Sequence, residues 1–314
     1  MKVIVTGGAG FIGANLCREL LTRPEVTEVV AFDDLSTGFA QNLEGSGARL
    51  IEATILDPEA LDSAFAGGSA VVHLAALPSV PRSVLDPIAS HHANATGTLE
   101  VLQAARRAGD LQVIVASSSS VYGANQELPK RESMRTEPIS PYAVSKQATE
   151  SYALGFGHTY GLPTLAFRFF NVYGPLQPAG HSYAAVVPAF IDAALRGVPL
   201  TIHGDGEQTR DFTYVGTLTR VIADAVVNRI TDLQPINLAF GSRTSLNQLV
   251  EDLVPFLGFR PDVVHTEARA GDVRDSQANN DRLLASFPDV QPVPLQDGLR
   301  ATVDWFRSLP QYQV

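Results

Sequence analysis

Tyr142 and Lys146 stand four residues apart, a spacing that places both side chains on one face of a helix. The phenol of a tyrosine has an ordinary pKa of about 10, so its use as a base at pH 7 requires about 4 kcal/mol of preferential phenolate stabilisation. A neighbouring ammonium group in a dry cleft supplies stabilisation of this kind. The pair therefore indicates proton transfer, although the same spacing also arises on ordinary helical surfaces.

Four consecutive serines, Ser117 to Ser120, follow the apolar run Val113 to Ala116. The run predicts a strand, and the serines supply hydroxyl groups at its carboxyl end, where ligands of open α/β sheets bind. A flexible polar loop is the alternative interpretation. It is weakened by residues 121–123, in which apolar packing resumes at once.

Three glycines, Gly7, Gly10 and Gly13, follow the apolar run Lys2 to Val5 and precede a helix-like pattern. Such an order forms a cradle for a pyrophosphate, because Gly7 tolerates the positive φ of a tight turn and Gly10 lets backbone N–H groups approach phosphate oxygens. Gly13 allows the helix to pack closely on the strand. The alternative is an ordinary strand-to-helix turn.

Asp33 lies 20 residues beyond Gly13, at the end of a second apolar run, Glu28 to Phe32. A carboxylate at this position accepts hydrogen bonds from both hydroxyls of an adenosine ribose and repels a 2′-phosphate. The expected cofactor is therefore NAD rather than NADP.

Apolar runs that predict strands recur along the first half of the chain, with helix-like stretches between most of them. This alternation predicts the α/β class with a doubly wound parallel sheet. Ser140 as N-cap and Pro141 at the first helical position mark a helix start. The strands are expected at Val3–Val5, Val29–Phe32, Leu50–Glu52, Ala70–Leu74, Val113–Ala116 and Leu165–Phe169, and the helices include Gly13–Leu21, His92–Ala108 and Pro141–Tyr160.

The alternation of strand-like and helix-like segments ends after Asn171, which predicts a smaller C-terminal lobe over the open end of the sheet. The expected NAD-binding domain comprises residues 1–171 and about 214–240, and the substrate domain comprises about 172–213 and 241–314. The elements expected in this half are helices at Ala184–Leu195, Leu246–Leu257 and around Asp297–Arg307, strands at Leu200–His203 and Asp211–Val215, and a charged loop at Glu267–Asp275.

Composition narrows the classes of function. The 314 residues, 45% of them hydrophobic, suffice for a large core, and the net charge of −10 argues against a nucleic-acid partner. The single cysteine, Cys17, excludes an internal disulfide, and no metal site is expected. The N-terminus is too short in apolar residues for a signal peptide and no 18-residue apolar run occurs, so we expect a cytoplasmic protein with no membrane partner.

Several motifs in a fixed order make the chain resemble the extended short-chain dehydrogenase/reductase family, which has a Rossmann domain, over essentially its whole length. Within that family it is most similar to the NAD-dependent UDP-sugar 4-epimerases, in particular the UDP-N-acetylglucosamine branch. The motifs are TGGAGFIG at 6–13, FDDLSTG at 32–38, HLAA at 73–76, Asn94, SSSSVYG at 117–123, YAVSK at 142–146, RFFNVYGP at 168–175, HGDGEQTRDFTYV at 203–215 and RAGDVRDS at 269–276, with SVPRS at 79–83, YAAV at 183–186 and RTSLN at 243–247 for the branch.

The resemblance implies three catalytic residues. Ser118 hydrogen-bonds the sugar O4 beside Tyr142, and Lys146 tunes the tyrosine and holds the nicotinamide ribose. The cofactor-binding residues that it implies are Gly7, Gly10, Phe11, Ile12, Gly13, Asp33, Thr54, Ile55, Leu74, Ala75, Ala76, Asn94, Tyr142 and Lys146.

The resemblance also implies a nucleotide-sugar site. Asn171, Arg210 and Arg269 match positions that hold the diphosphate, and two arginines suit a dianion in an otherwise acidic protein, although surface ion pairs are an alternative. Ser276 stands where galactose-only epimerases have a bulky tyrosine, which leaves room for an N-acetyl group. The implied substrate-binding residues are Ser79, Ser118, Ser119, Asn171, Ala185, Val186, Arg210, Arg269, Asp272 and Ser276.

Some positions depart from the family pattern. Thr54 stands where many relatives have an aspartate near the adenine, Gly216 and Thr217 replace an acidic residue, and the segment 279–281 replaces Asp-x-Ser-Lys. Ser119 and Ser120 replace acidic groups, which related dehydratases and decarboxylases use. Serines cannot abstract the corresponding proton, so simple epimerisation is favoured.

The expected activity is NAD-dependent 4-epimerisation of a UDP-hexose through a 4-keto sugar, for the glucose/galactose pair and their N-acetylated forms. The alternatives are a nucleotide-sugar dehydratase, a decarboxylase or a UDP-glucuronate epimerase of the same fold, and a non-catalytic dinucleotide-binding protein. The family also implies a homodimer formed through the helices His92–Ala108 and Pro141–Tyr160.

Overall fold

The computed structural model describes residues 1–179, 184–267 and 274–313. They form two compact units. Unit 1 comprises Met1–Asn125, Glu132–Phe169 and Thr219–Asn237, and unit 2 comprises Gln126–Arg131, Phe170–Leu218 and Leu238–Val314. The chain therefore passes between the units several times, with the short segment 126–131 as a part of unit 2 that the sequence did not indicate.

The strands and helices are numbered in chain order. The strands are β1 Lys2–Thr6, β2 Glu28–Asp33, β3 Arg49–Glu52, β4 Ala70–His73, β5 Gln112–Ser118, β6 Thr164–Phe169, β7 Val172–Tyr173, β8 Leu200–His203, β9 Thr209–Arg210, β10 Thr213–Tyr214, β11 Ile236–Leu238, β12 Thr244–Ser245 and β13 Val263–Thr266. The helices are α1 Phe11–Leu21, α2 Pro58–Phe65, α3 Val80–Leu85, α4 Pro87–His91, α5 Gly97–Arg107, α6 Pro141–Tyr160, α7 Val186–Leu195, α8 Val215–Val227, α9 Leu246–Leu257, α10 Asp281–Ser286 and α11 Leu295–Ser308. Among the described residues, no helix has both the length and the apolar character that crossing a membrane requires.

Unit 1 is built on a seven-stranded sheet in the order β11-β6-β5-β4-β1-β2-β3. The pairs from β6 to β3 are all parallel. The order reverses direction between β1 and β4, and ligands of such sheets bind beyond the carboxyl ends of the strands at that reversal. The predicted doubly wound α/β fold is confirmed.

The core of unit 1 explains why its strands read as continuous apolar runs. Val3, Ile4 and Val5 of β1 are fully buried, because helices cover both faces of a parallel sheet. Four of these strands end in a polar residue, since Thr6, Asp33, His73 and Ser118 terminate β1, β2, β4 and β5. The polar side chains that the sheet supplies to a ligand site in unit 1 therefore lie at one edge of the sheet.

Helix α6 begins as its start signal predicted. The Ser140 hydroxyl accepts a hydrogen bond from the backbone N–H of Ala143 at 3.1 Å, and Pro141 occupies the first turn. The helix ends at Gly161, which adopts the left-handed conformation (φ 71°) favoured at helix ends.

The structure corrects several element boundaries. The helix predicted at 92–108 is an α5 that ends at Arg107 and is preceded by a π-helical turn over His92–Thr96. The short helices α3 and α4 were not predicted. The strand expected at Asp211–Val215 is only β10, because Val215 already begins α8, and the helix expected from Ala184 begins at Val186.

Unit 2 contains the two-stranded pairs β7 with β10, β9 with β12 and β8 with β13. Residues of α7, α9 and α11 form its core together with Tyr173 and Phe212. The segment 126–131 joins this unit through backbone hydrogen bonds of Lys130, which donates to Gln277 at 2.7 Å and accepts from Asn279 at 2.8 Å. Unit 2 therefore has a core of its own.

Candidate active site

Lys146 projects from α6 towards the carboxyl end of β5. Its Nζ donates a hydrogen bond to the carbonyl oxygen of Ala116 at 2.9 Å, and the side chain is buried. Burial disfavours the ammonium form and lowers the pKa of Lys146 to about 8. The lysine is therefore held against the strand that carries the serine run.

Tyr142 lies one helical turn before Lys146. Burial raises the pKa of its phenol, and a hydrogen bond with the Ser118 side chain acts in the opposite direction. The sequence predicted that Lys146 and the positive nicotinamide ring of NAD together stabilise the phenolate. Among the protein groups that the structure describes, Ser118 is the one that lowers the pKa of Tyr142, and the Lys146 ammonium donates to Ala116. The backbone N–H of Tyr142 donates to the Ser83 hydroxyl at 3.0 Å, which also fixes the first turn of α6.

The serine run forms an ordered turn rather than a flexible loop. The Ser118 hydroxyl accepts from the backbone N–H of Ser120 at 3.1 Å and so caps the 3₁₀ turn Ser119–Tyr122. The Tyr122 hydroxyl in turn donates to the Asn237 side chain at 2.7 Å. Ser118, Tyr142 and Lys146, predicted from separate motifs, are thus brought together in unit 1.

The glycine turn after β1 requires glycine for steric reasons. Gly7 has a φ of 69°, and a Cβ there would lie 2.7 Å from the backbone nitrogen of Ala75; a Cβ at Gly13 would lie 2.1 Å from the Gly7 carbonyl oxygen. Gly10 is the N-cap of α1 and supplies no side-chain cap. The first N–H groups of α1, at Phe11, Ile12 and Gly13, therefore form a donor set suited to an anion.

The Asp33 carboxylate is fixed beside this turn. Oδ2 accepts from the backbone N–H of Ala9 and Oδ1 from that of Leu35, each at 2.9 Å. Burial raises the pKa of Asp33, and these backbone hydrogen bonds partly offset the shift. Since an ionised carboxylate accepts about four hydrogen bonds, acceptor capacity is left for a ligand.

Asn94, which the resemblance implies as a cofactor-binding residue, supports the segment after β4. Its Oδ1 accepts from the Leu77 N–H at 2.7 Å, and its Nδ2 donates to the Leu77 carbonyl at 3.2 Å and to the Ser145 hydroxyl at 2.9 Å. The side chain therefore holds the segment of Leu74, Ala75 and Ala76 that follows β4. At the end of that segment Ser79 caps α3 with a positive φ of 97°.

Thr54 and Ile55 follow β3. The Thr54 hydroxyl accepts from the N–H of Leu56 at 3.3 Å, so it stabilises its own turn. The Ile55 side chain belongs to the core and lies where a Cβ on Gly97 would be. Contact of these two residues with a ligand would have to involve the Thr54 side chain or the backbone.

A buried histidine that the sequence did not single out lies between β1 and the helices. His73 Nδ1 is 2.8 Å from the Thr6 hydroxyl and Nε2 is 3.0 Å from the Thr98 hydroxyl. Burial, reinforced by the charge of Lys146, lowers the pKa of His73 to about 3. The ring is therefore neutral at physiological pH.

Unit 2 brings together three of the residues predicted to bind substrate. The Asn171 Nδ2 donates to the Asp211 carbonyl at 3.2 Å and to the Ser276 hydroxyl at 3.4 Å. The N–H of Ser276 donates to the Thr209 carbonyl at 3.1 Å, which places Ser276 beside the strand that contains Arg210. Arg210 Nη1 donates to the carbonyls of Thr209 and Arg274, at 2.9 and 3.2 Å.

The other predicted substrate-binding residues are placed less fully. Ala185 is the exposed N-cap of α7 and Val186 is its first residue. Ser119 opens the 3₁₀ turn. Arg269 and Asp272, most of the charged loop and Tyr183 lie outside the described residues.

The comparisons with known proteins agree on the family of this chain. Residues 3–239 match the sequence profile described as NAD dependent epimerase/dehydratase family. The chain belongs to that family. A UDP-glucose 4-epimerase of Mycolicibacterium smegmatis is 36% identical to it, over 99% of this chain and 100% of that one.

Two solved structures of this family's fold are similar over nearly the whole chain. A UDP-N-acetylglucosamine 4-epimerase from Methanobrevibacter ruminantium, in complex with UDP-N-acetylmuramic acid, has a TM-score of 0.92 and 36% identity and covers 98% of both chains. A UDP-glucose 4-epimerase from Thermotoga maritima with UDP-glucose has a TM-score of 0.91 and 35% identity, over 98% of this chain and 99% of that one.

NAD, the cofactor of this family, fits the residues present. The uncapped N-terminus of α1 suits a pyrophosphate, the glycines leave no room for side chains at the turn, and Asp33 retains acceptor capacity.

Sequence reasoning missed residues that act on the site through others. Ser83 holds the N–H of Tyr142, and Glu150 and Arg168 form a buried ion pair next to Ser117. Glu150 was within reach of inference, because it continues the four-residue spacing of Tyr142 and Lys146 along one helix face.

Proposed function

We propose that this protein catalyses the NAD-dependent 4-epimerisation of UDP-hexoses, interconverting UDP-glucose with UDP-galactose and UDP-N-acetylglucosamine with UDP-N-acetylgalactosamine. The observation that carries the proposal is that Lys146, one helical turn after Tyr142, is buried and bonded to Ala116 of the strand that ends in Ser118, whose side chain lowers the pKa of the Tyr142 phenol. Two hydroxyls that meet in this way are suited to one sugar oxygen. Ser119 and Ser120 provide no acid that would direct the reaction towards elimination.

Tyr142 is assigned as the catalytic base and acid. It takes the proton of the sugar 4-hydroxyl as C4 is oxidised, and it returns the proton to the same oxygen after the sugar has turned its other face. Ser118 hydrogen-bonds that oxygen throughout. The net proton balance of the phenol over one turnover is zero, as an isomerisation requires.

Lys146 is assigned to stabilise the phenolate and to bind the nicotinamide ribose. With a pKa of about 8 its amine is largely protonated at neutral pH, although burial opposes that charge. Its bond to Ala116 leaves two further N–H donors on the ammonium group.

When bound, NAD supplies the hydride acceptor and donor for C4 and a positive charge beside the phenol. The N–H groups at the start of α1 would hold its pyrophosphate and Asp33 its adenosine ribose. Unit 1 is accordingly assigned as the NAD-binding domain, with Thr54, Ile55, Ala75 and Ala76 next to the dinucleotide and Asn94 supporting the segment after β4.

Unit 2 is assigned as the nucleotide-sugar domain. Asn171 and Arg210, with Arg269, would bind the diphosphate, and Ser276 would border the sugar together with Ala185. The contact between Asn171 and Ser276 supports this assignment, because it joins a residue of the diphosphate set to one of the sugar set.

The test is a panel of UDP-, GDP- and dTDP-sugars incubated with the protein and read by NMR and mass spectrometry. The expected result is C4 inversion of UDP-hexoses without a change in mass. Loss of water would indicate a dehydratase, loss of CO₂ a decarboxylase, and inversion of UDP-glucuronate alone a uronate epimerase. An inert protein that still binds NAD would be a non-catalytic binder.

We also propose that the enzyme is a homodimer. Of the two helices that the resemblance implies for the interface, at His92–Ala108 and Pro141–Tyr160, the second is α6; it packs on α3 and α4, and all three carry exposed apolar side chains, which favour a partner surface. Leu85, Ile88 and Val144 are 74%, 68% and 53% exposed. Light scattering after chromatography should give twice the chain mass for the wild type and a single chain for Leu85→Asp/Ile88→Asp; a monomeric wild type would contradict the proposal.

A further inference from the structure

The Glu150 carboxylate is the centre of a buried polar cluster in unit 1. Its Oε2 accepts from the Ser117 hydroxyl at 2.8 Å and from Arg168 Nε at 2.9 Å, and its Oε1 accepts from Arg168 Nη2 at 2.6 Å. The side chains of Arg168 and Glu150 are 4% and 7% exposed. Two hydrogen bonds therefore join Arg168 to Glu150, and the ion pair is shielded from solvent.

The three residues connect the elements that carry the site. Ser117 of β5 and Arg168 of β6 are register partners in the sheet, and Ser117 immediately precedes Ser118. Glu150 lies on α6, one turn after Lys146 and two turns after Tyr142. The cluster thus fixes the position of α6 along the strand whose end contains Ser118.

Arg168 makes two further contacts, with Tyr122 and with Glu132. The Arg168 guanidinium lies 4.7 Å from the ring centroid of Tyr122, and its Nη1 donates to the Glu132 carbonyl at 3.4 Å. Tyr122 belongs to the 3₁₀ turn capped by Ser118. Arg168 therefore contacts the serine turn from one side and α6 from the other.

Stability alone is a poor explanation of such a pair. Well-packed apolar residues commonly replace a buried ion pair without loss of stability, whereas a buried ion pair fixes a specific geometry through directional bonds. Here the directional bonds run between the two elements that must bring Tyr142 to Ser118.

We propose that Glu150 and Arg168 are positioning residues that set α6 against β5, so that Tyr142 meets Ser118 and Lys146 reaches Ala116. The proposal rests on the catalytic roles proposed above. Because the pair is neutral as a whole, it imposes this geometry without adding a net charge to the helix that carries Tyr142.

A variant that removes only the negative charge of the pair tests this positioning role. Arginine stays protonated at all accessible pH values, so Glu150→Gln leaves an uncompensated cation near α6 that favours the Tyr142 phenolate. The other charged or titratable groups on α6 near Tyr142 and on the elements packed against α6 include Lys146, His73, Arg82, His91, His92, Glu100, Arg106, Arg107 and Tyr122, and they are unchanged among the variants. The double variant Glu150→Gln/Arg168→Met removes both charges and the two-point bond.

The experiment combines steady-state kinetics with NMR of protein labelled at tyrosine Cζ, in which Tyr142 is identified by its loss in Tyr142→Phe. Glu150→Gln should lower kcat at least about tenfold, leave KM for the UDP-sugar within about threefold, and lower the pKa of Tyr142 by about half a unit or more. The double variant should keep the low kcat with the pKa of Tyr142 restored.

Two controls separate positioning from general damage. Asp62→Asn breaks the exposed ion pair of Asp62 with Arg107, 2.8 Å in the same unit, and should leave kcat and the pKa of Tyr142 unchanged. Leu61→Ala, in the core, reports what lowered stability alone does to kcat. If Glu150→Gln does not fold, Ser117→Ala takes its place, with an expected fall in kcat of about threefold or more and an unchanged pKa of Tyr142.

The proposal is overturned if Glu150→Gln, or Ser117→Ala in its place, keeps the wild-type kcat, or if the loss in kcat equals that of Leu61→Ala at matched Tm with the pKa of Tyr142 unmoved. Failure of the proposed function looks different: wild type then converts no UDP-hexose. In that case the NMR titration alone decides, and an unmoved pKa of Tyr142 in Glu150→Gln overturns the inference.

Discussion

The ammonium nitrogen of Lys146 lies 2.9 Å from the carbonyl oxygen of Ala116, two residues before the end of the strand that carries Ser118. A helix residue proposed to hold cofactor and phenolate is thus bonded to the backbone of the neighbouring strand. The bond makes the position of the Lys146 side chain depend on β5, the strand that also carries Ser118.

Tyr142→Phe should retain the fold and bound NAD and lose at least about 10²-fold in kcat, because the phenol oxygen is the proton carrier. Initial rates with UDP-galactose, together with Tm and the NAD content, measure this. The matched control is Tyr152→Phe, on the same helix with its ring 41% exposed, which should keep the wild-type rate. A Tyr142→Phe enzyme with normal turnover would show that the base is another residue.

Asp33→Ala should weaken the preference for NAD over NADP. The change removes the acceptors for the ribose hydroxyls and the charge that repels a 2′-phosphate. It also frees the N–H groups of Ala9 and Leu35, so some loss of Tm is expected. Titration of both cofactors by fluorescence gives the ratio of Kd values.

The neighbouring carboxylate provides the control for Asp33. Asp34 is exposed and accepts a hydrogen bond from the N–H of Ser36 at 2.9 Å. Asp34→Ala therefore removes one negative charge close to Asp33 but leaves the Asp33 carboxylate in place. Its cofactor ratio should stay at the wild-type value. Equal affinity of the wild-type protein for NAD and NADP would refute the role of Asp33.

Ser276→Tyr should remove activity on N-acetylated sugars selectively. A tyrosine ring at the sugar site would overlap an acetamido group by more than the misfit of one methylene, which costs about 1 to 3 kcal/mol, whereas the plain hexose suffers less. Ser276→Ala, which loses only the contact with Asn171, should keep both activities. The kcat/KM values for the two sugar pairs decide, and an equal loss on both would argue against this position as the determinant.

His73 should make the protein sensitive to acid. Its pKa is about 3 in the folded chain against about 6.5 unfolded, so the unfolded chain binds the additional proton between these values. The free energy of unfolding therefore falls as the pH drops from about 6.5 to about 3, by up to the order of 5 kcal/mol from this group.

Urea unfolding at a series of pH values checks this contribution. His73→Gln should be less stable at pH 7, because the bonds to Thr6 and Thr98 are altered, yet its stability should decline less steeply below pH 6. His91→Gln, on the surface, serves as the control. Parallel pH curves for wild type and His73→Gln would contradict the prediction.

Local signals account for what the sequence predicted correctly. Ser140 and Pro141 start α6 through contacts within one turn, and the four-residue spacing placed Tyr142 and Lys146 on one face. Asp57 and Pro58 carry the same start signal for α2, where the Asp57 carboxylate accepts hydrogen bonds from two backbone N–H groups. Such features depend on neighbours along the chain.

The features that escaped prediction depend on partners far apart in sequence. Asn94, in a π-helical turn, bonds to Leu77 seventeen residues earlier in the chain, and Arg168 of β6 pairs with Glu150 of α6. The upward effect of burial on the pKa of Tyr142 could not be predicted from the sequence either, since burial is a property of the whole fold.

Because the chain passes between the units several times, strand β6 is synthesised well before β11, its neighbour in the sheet. Strand β11, the neighbour of β6 at the edge of the sheet, is made of residues 236–238, after some sixty residues that belong to unit 2 or to α8 and the segment after it. Until residues 236–238 have left the ribosome, β6 has an unpaired edge, and unpaired strand edges promote aggregation with other chains. Nascent chains that stall between residues 170 and 235 are therefore the ones most in need of a chaperone, and swapping the second unit for that of another enzyme requires several splice points rather than one.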